Sequence, residues 1–548
     1  MSLLMLPTEL LQIVIANCRP DGIEALVLTC KEIYETADSI LDEHRFYRRE
    51  YTNLLELVSF YARAKPGGAH YLGPNVRLYE PGKVTMALLE EPLAGQYINL
   101  LELASCSEDT FQMVEAETGG FEDISGRERL LPLIESSRYI KATEQYSPSY
   151  RLPVFLEENS DMPDFGSSYS EKHAWIWRTG ILKGYRCAAL GLLLTLAPNL
   201  RRFHYSLRDQ KQNWYIGPVV QAAAADGSKS GILSKLEELE IHLGYFQIQE
   251  LCPYLALPSI KKFKLMGPTR WQIGGDHYEW KYGTRTSTIE EIDVYKGDAD
   301  SHTIGRFLQP LVKLRVFHWT HGCGYTDGCG CEDWDGNAFV QTIGKMVGWH
   351  LQELGLTFDH YTNCVSSTGI DHLLRFPTLK YLELDLQFLL GKSNLKRNKN
   401  PPTPIDLWLP RRLRSWQSMP CLIDVLPSSI ENLRLWVTEH VLEPERMFEH
   451  IARLPNLKKI TIAYYVPEVH YTRDGPPESF APLPAHQFYA IAQDLEPFGI
   501  KLDVVGSRGP PGLWRRNCTP DKDHLYTPAE MLPSAIYDLD VDVNVAPV

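Results

Sequence analysis

Several things are scarce in these 548 residues, and each scarcity narrows the function. No apolar run approaches the ~18 residues needed to cross a bilayer; the best candidate, residues 190–197 (LGLLLTLA), is far too short. The apolar opening, residues 1–6 (MSLLML), carries no basic residue and is followed by Glu9. We expect neither a signal peptide nor a membrane anchor. Positive charge is in deficit: 55 Lys and Arg stand against 69 Asp and Glu, a net charge of −14. A nucleic-acid partner held over the whole surface is thereby excluded, since phosphate needs clustered cations. The 11 cysteines are odd in number and thinly spread, which is no disulfide framework and suits a reducing compartment. The expected location is cytoplasmic or nuclear, and the Asn517–Thr519 glycosylation match is read as incidental.

Chemical motifs are also lacking. There is no P-loop, no Gly-x-Ser-x-Gly elbow and no His-Glu-x-x-His; we expect no cofactor and no catalytic residue. One metal-like cluster exists: His318, His321, Cys323, Cys329 and Cys331. Zinc sites favour Cys-x-x-Cys pairs, which this glycine-rich stretch does not contain. We read it as a polar loop and expect no metal.

What is present begins at the N-terminus. Pro7 suits the opening of a helix, where its missing N–H costs nothing; that helix should run from about Thr8 to Asn17. Residues 19–22 (RPDG) form a turn with a stop built in. A second helix covers about Ile23 to Leu28, and Thr29 with Glu32 has capping-box spacing for a third. A further helical stretch spans Leu41 to Tyr51. Three short helices in about thirty residues carry more apolar surface than so small a unit can hide. They either cap the rest of this chain or meet a partner.

The segment Leu6-Pro7, Glu9-Leu10-Leu11, Asp21, Leu26-Val27-Leu28, Cys30-Lys31 and Ile33-Tyr34 resembles the F-box motif. That resemblance covers about thirty residues and implies docking onto a Skp-type adaptor of a cullin-RING ubiquitin ligase. By position, Leu6, Pro7, Leu10, Leu11, Leu26, Leu28, Cys30 and Ile33 would make or support the contact. The continuing helix at 41–51 resembles fungal members and implies a fungal source.

Further along, one pattern recurs nine times: apolar, x, x, apolar, x, apolar. It begins at Leu200, Leu236, Ile260, Ile289, Leu314, Leu351, Leu379, Ile430 and Leu457. Three apolar positions alone would match about one random window in twelve. Two further regularities lift it above chance. The second residue is charged in every copy but the one with Gln352, and Pro198, Pro258, Pro377, Pro427 and Pro455 precede copies at short range. The last two apolar positions fit one face of a short strand, and Pro ends the helix before it. Amphipathic segments at 175–197, 337–349 and 443–454 supply the helices. A terminal strand is expected at Ile500–Val504.

This resembles an irregular leucine-rich repeat, with copies 36, 24, 29, 25, 37, 28, 51 and 27 residues apart. The expected fold is therefore α/β: a short helical F-box (1–50), a connecting region (51–174) with a helical stretch near Gln96–Cys106, a solenoid of parallel strands with outer helices (175–507), and a flexible tail (508–548). The resemblance places the intervening strand residues on a concave face that would bind a protein substrate. Candidates are Glu240, Lys264, Asp293, Tyr295, His318, Tyr381, Glu383, Arg434 and Trp436, with the aromatics in an exposed register. A basic insertion (392–419) and the acidic Asp538, Asp540 and Asp542 complete the candidate surfaces. The implied function is substrate recognition for an SCF-type ligase; the alternative is a non-ligase leucine-rich interaction scaffold.

Overall fold

The computed structural model describes residues 3–56, 76–79, 81–102, 126–143, 169–183, 185–207, 213–229, 231–243, 248–270, 280–322, 334–359, 366–390, 421–437, 444–465, 488–507 and 523–525. The chain is α/β and divides into two compact units. The first comprises Met1–Tyr245, Gln249–Lys264 and Trp280–Thr288; the second comprises Phe246–Ile248, Leu265–Glu279 and Ile289–Val548.

The first unit opens with α1 (Thr8–Asn17), α2 (Ile23–Val27), α3 (Lys31–Thr36) and α4 (Asp38–Tyr51). Leu11, Ile15, Ile23, Val27, Ile33, Ala37 and Leu41 form a small core of their own. Thr29 does not cap α3, whose N-cap is Cys30 without a side-chain bond. Its hydroxyl instead donates to the Leu26 carbonyl at 2.6 Å and closes α2, because it lies one residue too early.

Beyond α4 come parallel strands β1 (Asn53–Glu56), β2 (Val76–Tyr79), β3 (Leu100–Glu102), β4 (Arg202–Leu207) and β5 (Glu238–Leu243), ordered β2-β1-β3-β4-β5. The start of β6 (Lys262–Arg270) follows, with residues 262–264 in this unit. The second unit carries β7 (Glu291–Asp298), β8 (Val316–His321), β9 (Glu353–Phe358), β10 (Tyr381–Asp385), β11 (Asn432–Val437), β12 (Lys459–Tyr465) and β13 (Lys501–Ser507) in sequential parallel order. The short β14 (Asp523–Leu525) adds antiparallel to β13; residues 523–525 of the expected flexible tail are thus a strand. Parallel neighbours need crossover connections, and helices lie in several of them, such as Asn213–Asp226 between β4 and β5 and Gly336–Met346 between β8 and β9.

Each of the nine sequence copies starts a strand two residues after its first apolar position, at β4 through β12. All three apolar positions of every copy are at most 6 % exposed. Within each unit the copies are stitched at one level. The second residue of a copy accepts, through its carbonyl, the backbone N–H of the same position on the next strand: Glu237 on Arg201 and Lys261 on Glu237 in the first, and Arg315 on Glu290, Gln352 on Arg315, Lys380 on Gln352, Glu431 on Lys380 and Lys458 on Glu431 in the second.

That shared level explains the charge found there. The signs alternate across Arg201, Glu237 and Lys261 in the first unit, and across Lys380, Glu431 and Lys458 in the second. Cross-strand neighbours of opposite sign attract. Lys261 lies 3.8 Å from Glu237, Lys380 3.1 Å and Lys458 2.7 Å from Glu431. Hydrogen bonds from Lys458 and Lys380 hold the Glu431 carboxyl below its ordinary range.

A tenth copy was hidden. Ile98 and Leu101 are fully buried, and the Asn99 carbonyl takes the Arg201 N–H at 2.9 Å, as in the other copies. The helical reading of 96–106 therefore gives way, over residues 96–102, to a 3-10 turn (Pro92–Tyr97) followed by β3, while 103–106 lie outside the described residues. Elsewhere helices form over most of the expected ranges: 175–197 is covered by Tyr169–Leu182 and Arg186–Leu196 with a break between them, and 337–349 by Gly336–Met346, which ends three residues early. The stretch 443–454 yields only one turn, Pro444–Met447, and a 3-10 turn, Ile451–Arg453. The insertion at 392–419 and the acidic 538–542 lie outside the described residues. Among the described residues no helix is long and apolar enough to cross a membrane.

Candidate functional site

Helix α1 is apolar on two sides. Leu11 and Ile15, four apart, fall on one face and reach the small core at 5 % and 0 % exposure. Leu10 and Ile13, three apart, fall on another and stay about half exposed. Twelve large apolar residues are exposed among the described ones, and seven of them lie within residues 3–34: Leu3, Leu4, Met5, Leu10, Ile13, Leu28 and Tyr34. Scattered exposed apolar residues need no explanation, but such a concentration marks a surface meant to be covered. Leu28 is the most open, at 81 %.

The eight expected docking residues therefore divide. Pro7, Leu10 and Leu28 are exposed. Leu6, Leu26 and Cys30 are half-buried against the small core, and Leu11 and Ile33 belong to that core. Sequence reasoning missed Leu3, Leu4, Met5, Ile13 and Tyr34. Ile13 was legible, since it lies three residues from Leu10 on the same helix.

The helices are fixed to the rest of the first unit through α4. His44 Nδ1 hydrogen-bonds the Tyr97 hydroxyl at 3.0 Å, and the Tyr47 and Tyr97 rings meet at 5.4 Å. Arg48 pairs with Glu24, and Asp21 lies 3.8 Å from Lys235. Burial pushes the His44 imidazole down, against the pull of Glu24. It also pushes the Tyr97 hydroxyl up to about 12.

The second candidate is the strand face that carries the residues between the apolar positions. In the first unit, Lys264 Nζ lies 2.9 Å from Glu238 and 3.8 Å from Glu240. Burial alone would raise the Glu238 carboxyl, but the Lys264 hydrogen bond and charge hold it below its usual range. Burial lowers the His204 imidazole, though Glu240, Glu102 and Glu238 surround it.

In the second unit, in-register pairing lines up three rows. Tyr381 stands beside Glu353 and Asn432; Asp293, His318, Gly355, Glu383, Arg434, Thr461 and Asp503 form the next row; Tyr295 stands beside Thr320, and Trp436 between Asp385 and Ala463. The register brings the expected residues of this unit together. Their exposure does not match the expectation. Tyr295 is 5 % exposed and Trp436 0 %, with Asp293, Glu383 and Arg434 also buried; only Tyr381 stays half-buried.

The physical reason is lateral packing. Parallel strands about 4.8 Å apart place like positions side by side, so tall side chains roof their neighbours. The Arg434 guanidinium lies 4.8 Å over the Trp436 ring, and Trp436 Nε1 donates to Glu383 at 2.5 Å. His318 Nε2 and Glu353 are 2.8 Å apart, and the Thr320 and Thr357 hydroxyls 2.9 Å. Burial raises the Glu353 carboxyl and takes the Tyr381 hydroxyl up to about 12.

A bulge at the end of β7 adds a pair the sequence did not announce. The register shifts between Tyr295 and Gly297, and Lys296 sits at φ 61°. This turns its ammonium to 3.2 Å from the carboxylate of Asp359, which is 1 % exposed. Chemically the face holds carboxylates and cations that are buried and paired with one another in a dry setting, where each pair fixes its neighbours' geometry.

His318 and His321 of the metal-like cluster point apart in role. His318 engages Glu353, while His321 stacks on the Trp334 indole at 3.9 Å and burial takes its pKa down to about 3. Cys323, Cys329 and Cys331 lie outside the described residues. No family model matches this chain, and no curated protein matches it.

Proposed function

We propose that this chain is the substrate-recognition subunit of an SCF-type cullin-RING E3 ubiquitin ligase. In this reading residues 3–36 are an F-box that docks a Skp-type adaptor, and the strand array is an irregular leucine-rich-repeat array that holds a protein substrate. The chain itself performs no catalysis; it raises the concentration of substrate lysines near a ubiquitin-charged enzyme. It would work in the cytoplasm or nucleus. One observation carries the reading: a helical element with its own core leaves seven large apolar side chains bare within residues 3–34. The F-box resemblance of the same residues supplies the partner. The constant offset between buried anchor and strand, and the helices between strands, support the repeat reading.

Adaptor capture tests it. Purified protein should retain a Skp-type adaptor, and Leu10→Asp with Leu28→Asp should abolish retention while the fold survives. Leu11 is unsuitable for that test, because it is 5 % exposed within the small core. Retention by the double variant would sink the proposal.

A second reading is a leucine-rich interaction scaffold whose first helices merely cap the array. The contacts of His44 and Tyr47 with Tyr97 favour it. Removing residues 1–36 separates the two: a cap's loss would aggregate the array, whereas an adaptor-docking element's loss would leave it soluble.

A further inference from the structure

Outside the first helices, three of the remaining exposed large apolar residues gather at the strand starts of β8–β10. They are Val312, Trp349 and Leu374, at 43 %, 63 % and 66 % exposure. Each lies in the turn that precedes a strand. Around them stand four exposed cations: Lys313, Arg315, Lys345 and Arg375.

The turns pack into one surface. The Thr378 hydroxyl donates to the Trp349 carbonyl at 3.3 Å, and Gln341 Nε2 donates to the His372 carbonyl at 3.0 Å. Gly344 and Gly348 let the Arg375 segment lie flat on the helix end that bears Lys345. A Cβ on Gly348 would sit 2.4 Å from the Arg375 carbonyl, and one on Gly344 2.8 Å from the Arg375 Cβ. The Trp349 and His350 rings meet at 4.1 Å, with Arg315 close enough to press on His350 electrostatically. The two His350 ring nitrogens are buried and make no hydrogen bond.

The cations are uncompensated here, in a chain of net charge −14. The alternating ladder of strand starts fails at this place: Gln352 stands where alternation would set an acid between Arg315 and Lys380. Glu290, next to Arg315 along the strand starts, makes no ion pair with it, and two further carboxylates are occupied elsewhere. Asp371 takes a hydrogen bond from Asn337 at 2.6 Å, and Glu353 pairs with His318. Among the described residues none of the four cations makes an ion pair.

We propose that this edge of β8–β10 is a second docking surface, which takes an acidic, apolar segment of a partner protein. The segment's carboxylates pair with Arg315, Arg375, Lys313 and Lys345, and its apolar side chains cover Trp349, Val312 and Leu374. Tryptophan and arginine are the residues that dominate interface energies, and here they alternate on one exposed strip. A nucleic acid fits less well, since four cations flanked by apolar residues make no continuous phosphate track. The surface is separate from the first helices and stands whatever partner those helices take.

The test uses the full-length protein and a fluorescein-labelled peptide of aspartate, glutamate, leucine and phenylalanine. Controls are the same peptide with lysine for each acid, and a short single-stranded oligonucleotide. Fluorescence anisotropy should show binding of the acidic peptide alone. Binding should weaken as salt rises from about 0.05 to 0.3 M, where screening shortens to a few ångströms. Arg315→Glu with Arg375→Glu should weaken it at least about tenfold, and Trp349→Ala several-fold. All three side chains are exposed, so circular dichroism and the unfolding midpoint should stay unchanged. Absence of binding to the unaltered protein, equal binding by the charge-reversed variant, equal capture of the lysine peptide, or preference for the oligonucleotide would each overturn the proposal.

Discussion

The first three helices and the strands of the second unit handle apolar surface in opposite ways. In the helices, Leu11 and Ile15 go inward while Leu10 and Ile13 on the same helix stay half bare. In the strands, even the polar rows are sealed: Glu383, Asp385 and Trp436 are fully buried on the face where solvent was expected. A short helix has no neighbour on its far side unless another chain brings one. A strand in a parallel array always has two, at about 4.8 Å, and tall side chains close over each other. Bare apolar side chains therefore carry information in the helices, and buried charges carry it in the strands.

This contrast can be broken at graded cost. The largest effect is expected for Leu354→Asp in β9, where the residue is wholly buried. Burying an unpaired carboxylate there should cost more than about 5 kcal/mol and abolish cooperative urea unfolding. Survival of a sharp transition would show that the array core is looser than its burial implies. Next, Lys296→Met removes the cation 3.2 Å from buried Asp359 and should lower stability by about 3 kcal/mol, read as a shift in urea midpoint.

Acid should separate the regions as well. Burial depresses His321 to about 3. The unfolded chain then binds a proton below about pH 6.5 that the folded chain refuses. Stability is full above that pH and falls as pH drops toward 3, at up to about 1.4 kcal/mol per pH unit. His321→Phe keeps the stack on Trp334 and should flatten that slope; an unchanged slope would remove His321 from the account. Smaller still, Leu28→Asp should move stability by less than about 0.5 kcal/mol, although the proposed adaptor docking would be lost with it. The smallest effect belongs to Lys458→Ala in the exposed ladder, where no change in midpoint should be resolved.

How much of this was readable beforehand follows from period and burial. The nine strand starts were legible because all but one of the copies, the one with Gln352, couple three apolar positions to a charged second position, and cross-strand pairing is what that charge does. The tenth copy escaped because Asn99 carries no charge and the surrounding leucines fit a helix equally well. The split between Leu10 and Leu11 was half legible: helical spacing puts them on different faces, but only packing tells which face the small core takes. The burial of Tyr295 and Trp436 was not legible, since it depends on which side chains the register sets beside them. The Lys296 bulge, set by a lysine at positive φ, left no trace in the pattern.

Each of the nine repeated strands begins two residues past a buried aliphatic anchor, whether the next anchor is 24 or 51 residues away. Within each unit, spacing along the chain and strand register are therefore uncoupled, since the strands pair in register whatever length of chain separates their anchors. Sequence drift can lengthen or rewrite the intervening segments without asking the strands to realign. New recognition loops could be grafted between anchors, as new teeth are set into an unchanged comb.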